Sequence, residues 1–122
     1  MENIKKKIIL AEDDSTFSML LKFRLEEEGF LIFQIDDGLK VINLINKVSP
    51  DLFICDIMLP NISGLEIVEK IKQNKKYKFP ILIISNANQG IISNKIMELG
   101  ANDFLSKPFN LKELISKINK LL

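Results

Sequence analysis

Apolar residues fall along this chain in two alternating patterns. Short runs, each closed by polar or turn residues, occupy 7–11, 30–35, 51–56, 81–85 and 103–106. Continuous apolar runs of this length predict strands buried on both faces, as in a parallel sheet. Between and after them, apolar residues recur every three or four positions, which predicts amphipathic helices. Phe17, Leu20, Leu21 and Leu25 form the first such stripe, and Val41, Leu44, Ile45 and Val48 the second, within 39–48. Leu65, Val68 and Ile71 follow in a helix opened by Gly64; Ile92, Ile96 and Leu99 lie within 90–99. Leu111, Leu114, Ile115, Ile118 and Leu122 complete the set in 111–122.

The punctuation agrees with the periodicity. Asp14 or Ser15 can cap the first helix, and Gly29 can close it. Ser49-Pro50 stops the second, Pro80 leads into the fourth strand, and Gly100 ends the fourth helix. Strands alternating with helices predict an α/β domain with a parallel sheet and helices on both faces. Right-handed crossovers leave few topologies. The prediction is a single flavodoxin-like (βα)5 domain over residues 1–122, with five parallel strands in the order 2-1-3-4-5.

Composition narrows the function classes. The chain has 122 residues, 47% hydrophobic and 27% charged, with a formal net charge of +1. That balance gives no reason to expect direct nucleic-acid or membrane binding. No apolar run approaches membrane-spanning length, and residues 1–7 are too short and polar for a signal peptide, so a cytoplasmic protein is expected. Cys55 is the single cysteine, so no internal disulfide can form. There is no histidine. Ser-His and Cys-His catalysis and histidine metal sites are therefore excluded, and chemistry must rest on acids, hydroxyls, lysine or backbone.

Polar residues interrupt the apolar runs at telling places. Glu12 and Asp13 follow the first strand, Asp56 ends the third, Ser85 ends the fourth and Lys107 follows the fifth. In the predicted sheet all of them meet at the carboxyl edge, where open α/β sheets bind ligands. Asp36 and Asp37 follow the second, outer strand and lie farther away. Three carboxylates in one place repel one another unless a counter-charge intervenes. A hard divalent cation with oxygen ligands suits them, and Mg2+ commonly takes one or two carboxylates with phosphate and water. Lys107 adds a cation for an anion, and Ser85 a hydroxyl donor. Together they describe a phosphoryl site, with Asp56 able to act as nucleophile and form an aspartyl phosphate.

The motifs Ile-Leu-Ala-Glu12-Asp13-Asp14, Asp56-Ile-Met-Leu-Pro-Asn-Ile-Ser-Gly64, Ile-Ile-Ser85 and Gly100-Ala-Asn-Asp-Phe104-Leu-Ser-Lys107-Pro108-Phe109 occur in this order. The chain thereby resembles a response-regulator receiver domain, the phospho-acceptor module of two-component signalling, over almost its entire length. The resemblance implies that Asp56 is phosphorylated from a phosphohistidine on a sensor histidine kinase or phosphotransfer protein. It implies Mg2+ held by Glu12, Asp13, Asp56 and the backbone carbonyl of Met58, with Asp13 a direct ligand. Ser85 and Lys107 would bind phosphoryl oxygens, with Ser85 and the aromatic Phe104 forming the switch. Lys107-Pro108 would be a cis peptide. The face 92–122 would then signal to a downstream effector or output domain. Asn86 stands where the family usually has Ala or Gly, and Phe104 where many members have tyrosine.

Two rivals make different demands. A small aspartyl-phosphate phosphatase of the haloacid-dehalogenase type wants a second aspartate two residues after the nucleophile, where this chain has Met58. A degenerate receiver acting only as an interaction module would normally lack one of the acids or the lysine.

Overall fold

The computed structural model describes residues 4–86 and 90–122, with residues 90–93 described as backbone. Strands β1 (Lys7–Ala11), β2 (Leu31–Ile35), β3 (Leu52–Asp56), β4 (Ile81–Ser85) and β5 (Asp103–Ser106) alternate with helices α1 (Ser15–Glu27), α2 (Val41–Val48), α3 (Gly64–Gln73), α4 (Gly90–Glu98) and α5 (Leu111–Leu121). The sheet is wholly parallel in the order β2-β1-β3-β4-β5, as the alternation of patterns predicts.

The continuous apolar runs have a direct structural cause. Successive strand residues point to opposite faces, and both faces are covered. Ile9, Ala11, Phe53, Cys55, Ile81 and Ile83 form one core with Val41 and Ile45 of α2, Ile67, Val68 and Ile71 of α3 and Ile96 of α4. Ile8, Leu10, Leu52, Ile54, Leu82 and Ile84 form the other with Leu21 and Leu25 of α1 and Leu114 and Ile118 of α5. Each fully buried aliphatic side chain contributes roughly 1.5–3 kcal/mol relative to exposure. The central strands β1, β3 and β4 are therefore the rigid base on which the site stands. No described helix is long and apolar enough to cross a membrane.

Several local expectations change, and β3 starts at Leu52 rather than at Asp51. Leu20 is 55% exposed, with Met19 and Phe23 beside it on the outer surface. The sheet-facing stripe of α1 runs instead through Phe17, Ser18, Leu21 and Leu25. β2 starts at Leu31, because the Phe30 amide donates back to the Leu25 carbonyl and closes α1. The left-handed Gly29 (φ 97°) makes that reversal possible. The stretch expected to be helical from residue 39 opens as a tight 3-10 turn, Gly38–Lys40, before α2. There the Asp37 carboxylate accepts from the Leu39 amide and the Asp37 carbonyl from that of Lys40. Leu122 lies past the end of α5 and is 39% exposed. The side chain of Ile92, expected to face inward, lies outside the described residues.

Candidate functional site

Parallel register aligns the carboxyl ends of the inner strands. Ala11 pairs with Cys55, Asp56 with Ile84, and Ser85 with Ser106. Residues that end or follow these strands therefore share one edge. Glu12 continues the line of β1, its amide donating to the Ile35 carbonyl at 3.0 Å. The Lys107 amide donates to the Ser85 carbonyl at 2.7 Å, which ties the end of β5 to the end of β4. The Lys107-Pro108 peptide is cis. Glu12, Asp56 and Ser85 are buried, whereas Asp13 is exposed at the rim.

The Lys107 ammonium links the cluster. Its Nζ donates to Asp56 Oδ2 and to Glu12 Oε1, each at 2.7 Å. The remaining oxygens are also held. Glu12 Oε2 accepts from the Asp14 amide at 3.0 Å, and Asp56 Oδ1 from the Met58 amide at 3.0 Å. Carboxylate oxygens of Glu12, Asp13 and Asp56 lie within 4.8 Å of one another. Three acids thus face one lysine, and an all-oxygen donor set with surplus negative charge fits a hard divalent cation. Since both Glu12 oxygens already accept hydrogen bonds, Asp13 is the least committed carboxylate of the three.

Burial dominates the electrostatics. It raises the Glu12 carboxyl above its ordinary pKa, with the Asp56 charge adding to the effect, against the lowering by Lys107 and the Asp14 amide. For Lys107 burial acts to lower the pKa. The hydrogen bonds and charges of Asp56 and Glu12 together outweigh it and raise the value. The ammonium is therefore fixed in its charged form at neutral pH. Burial also pushes the Cys55 thiol well up, reinforced by Asp56 and Glu12, so it is inert beside the site.

The loop after Asp56 is braced from two sides. The Gly64 amide donates to the Ile57 carbonyl at 2.7 Å, and the first turn of α3 passes directly over the backbone of Asp56. A Cβ at Gly64 would collide with the Asp56 carbonyl oxygen and stand 2.8 Å from Ile57 Cα. Only glycine fits there. Across the loop, Asn61 (φ 72°) donates from Nδ2 to Asp37 Oδ1 at 2.9 Å, and the Gly38 amide donates to the Pro60 carbonyl at 3.1 Å. The Asn61 hydrogen bond, with that of the Leu39 amide, lowers the Asp37 pKa.

Glu12, Asp13, Asp56 and Lys107, singled out from sequence, thus stand in one cluster. Ser85 ends the adjoining strand. Met58 is in the loop beside Asp56 with its side chain 71% exposed. Phe104 is farther off, in register with Ile83 and packed against the core that contains Ile96 of α4. Asn86 is exposed near Lys107. Sequence reasoning missed Phe17, whose ring centroid is 4.7 Å from Lys107 Nζ. Its position one turn after the acidic pair was the available signal, but the stripe pattern marked it only as core.

Comparison with known proteins agrees with this architecture. Residues 8–119 match the response regulator receiver domain family. The structure is similar to that of a response regulator from Chloroflexus aurantiacus, with TM-score 0.91 and 28% identity over 97% of this chain and 98% of that one. It is similar to the receiver domain of the Francisella response regulator 1452, with TM-score 0.90, 27% identity and 96% of each chain covered. It also resembles the receiver domain of a signal transduction histidine kinase from Syntrophus aciditrophicus, with TM-score 0.88, 26% identity, and 96% and 89% covered. The chain belongs to the response regulator receiver domain family and is a phospho-acceptor signalling domain of the two-component type.

Proposed function

We propose that Asp56 is the phospho-acceptor and that Glu12, Asp13, Lys107 and Ser85 serve its phosphorylation. The observation that carries this reading is the Lys107 ammonium held 2.7 Å from Asp56 and 2.7 Å from Glu12. Asp56 attacks phosphorus through a carboxylate oxygen, an acyl-phosphate bond forms, and the donor's nitrogen or oxygen leaves with the bonding pair. The Met58 amide on Oδ1 and Lys107 on Oδ2 fix the orientation of that carboxylate. Lys107 and the Ser85 hydroxyl then meet the phosphoryl oxygens. Positioning and charge neutralisation supply most of the catalysis in such transfers.

Asp13, Asp56, Glu12 and the Met58 carbonyl would hold Mg2+, which when bound supplies positive charge against the phosphoryl oxygens. The donor is a phosphohistidine on a sensor histidine kinase or a phosphotransfer protein, which fits a chain with no histidine of its own. The domain catalyses only its own phosphorylation and slow dephosphorylation. The output is a conformational shift of the face 92–122, with Ser85 and Phe104 as the switch, read by a downstream effector or output domain in the cytoplasm.

The test is intact mass after incubation with a small phosphodonor, with and without Mg2+. A single added phosphoryl group, dependent on Mg2+ and absent in Asp56→Asn, supports the assignment. Continuous release of phosphate without an adduct would favour the phosphatase reading, and no reaction a degenerate receiver.

A further inference from the structure

Phe17 has no part in the reaction as described, yet it is the third neighbour of the ammonium on which that reaction depends. Two sides of Lys107 Nζ meet the carboxylates of Glu12 and Asp56. Another meets the ring of Phe17, with the centroid at 4.7 Å, inside the range of a cation–π contact. The ring is held in turn. Phe109, just beyond the cis Lys107-Pro108 peptide, packs edge-on against it, with centroids 5.8 Å apart and planes at 65°. The Phe17 amide donates to Asp14 Oδ1, so the aromatic position is set by the amino-terminal cap of α1.

The contacts close on themselves. Glu12 Oε2 accepts from the Asp14 amide, Asp14 Oδ1 accepts from the Phe17 amide, the Phe17 ring meets Lys107 Nζ, and Lys107 Nζ donates to Glu12 Oε1. We propose that Phe17 is a positioning residue for Lys107, holding the ammonium at the acceptor carboxylate through the face of its ring. This rests on the assignment of Asp56 as the phospho-acceptor.

The physical need is specific. Lysine has a flexible four-carbon stem and loses orientation readily when one side of its ammonium is open to water. A third carboxylate in that place would hold it too, but would add negative charge where an anionic phosphoryl group must enter. An aromatic face attracts the cation without net charge and without a directional hydrogen bond. The ammonium can therefore slide from Asp56 Oδ2 to a phosphoryl oxygen while keeping this neighbour. An aliphatic residue fills the same space without the quadrupole.

The experiment compares Phe17→Leu, which keeps apolar bulk, with Phe17→Tyr, which keeps the ring, each alone and with Lys107→Met. Phosphorylation rate is followed with a small phosphodonor at saturating Mg2+, and Mg2+ affinity is measured separately. Phe17→Leu is expected to slow phosphorylation by about threefold to tenfold, the range set by a partly desolvated cation–π contact, and to leave Mg2+ affinity unchanged. Phe17→Tyr should remain within about twofold of the parent. In the Lys107→Met background, Phe17→Leu should have no further effect.

Nuclear magnetic resonance of the unphosphorylated protein gives a readout independent of the reaction. The methylene protons next to Lys107 Nζ should be shifted upfield by the ring in wild type and in Phe17→Tyr, and return toward ordinary positions in Phe17→Leu. Equal slowing by the leucine and tyrosine variants would overturn the proposal. So would the same slowing by Phe17→Leu without the lysine, or unshifted lysine protons in wild type. Should Phe17→Leu fail to fold, the wild-type and tyrosine lysine shifts decide the question. If wild type forms no adduct while the lysine protons are shifted, the Asp56 assignment fails and the Phe17–Lys107 contact stands.

Discussion

Replacing Lys107 by methionine keeps the length and apolar stem of the side chain and removes only the charge. Two carboxylates then lose their cation. The Glu12 and Asp56 side chains are 1% and 7% exposed, so water cannot fully replace it. Each pair at 2.7 Å has a gross attraction of about 6 kcal/mol at an effective dielectric constant near 20. Desolvation of all three groups offsets most of that, and removing one member of a buried ion pair costs about 3–5 kcal/mol. Because Asp13 leaves one side of the cluster open to solvent, the expected loss is about 2–4 kcal/mol near neutral pH without Mg2+. Urea unfolding measures it.

The pH dependence makes the test sharper. The Lys107 pKa is raised in the folded protein, so the stability it contributes is complete below the ordinary lysine value of ~10.4. That stability is lost as pH rises through the higher folded value. Glu12 is also raised, so its contribution is lost as pH rises through the window above ~4.3. Without Lys107 the Glu12 carboxyl rises further, and that window widens toward neutrality. The deficit of the variant should therefore shrink on acidification, as Glu12 takes up a proton. Adding Glu12→Gln should restore part of the loss at neutral pH, since the stranded charge is then gone. A neutral-pH loss below about 0.5 kcal/mol, the scale of an exposed ion pair, would refute a buried, stabilising role for the Lys107 ammonium. A deficit that did not change with pH would refute it equally.

Other perturbations separate the parts of the site. Asp13→Ala should abolish measurable Mg2+ binding yet keep or raise the melting temperature in metal-free buffer, because it relieves repulsion with Asp56 and Glu12; calorimetry and thermal unfolding check both. Gly64→Ala should cost about 1–3 kcal/mol in urea unfolding, since the new Cβ must displace the Asp56 backbone, and should slow phosphorylation as well. Cys55, with no exposed surface, should react with alkylating reagents only as fast as the protein opens. Its labelling rate should thus rise with urea in step with unfolding.

The sheet was legible because its strands are buried on both faces, which leaves continuous apolar runs with abrupt polar ends. The boundaries of β4 and β5 coincide with the runs 81–85 and 103–106 for this reason. The gathering of Glu12, Asp13, Asp56 and Lys107 was legible as well, since strand order alone brings those ends together. The outer face of α1 was not. Apolar residues lie all round that helix, so periodicity could not tell Leu20 from Leu21. Nor could it show that Phe17 faces a cation, because a ring over an ammonium and a ring in a core leave the same residue at the same spacing. The Asp37–Asn61 brace joins loops distant in sequence, and only the folded chain reveals it.

Asp56 is the proposed carrier of the phosphoryl group. The carrier is identified by phosphorylating the protein with a small donor and Mg2+, reducing the acyl phosphate with borohydride, and mapping the peptides by mass spectrometry. Reduction turns a phosphorylated aspartate into the corresponding alcohol and so marks the residue itself. The mark is expected at Asp56 alone, with none at Asp13 or Glu12 and none anywhere in Asp56→Asn. A mark on another carboxylate in the wild-type protein, or an adduct that survives in Asp56→Asn at equal abundance, would contradict it.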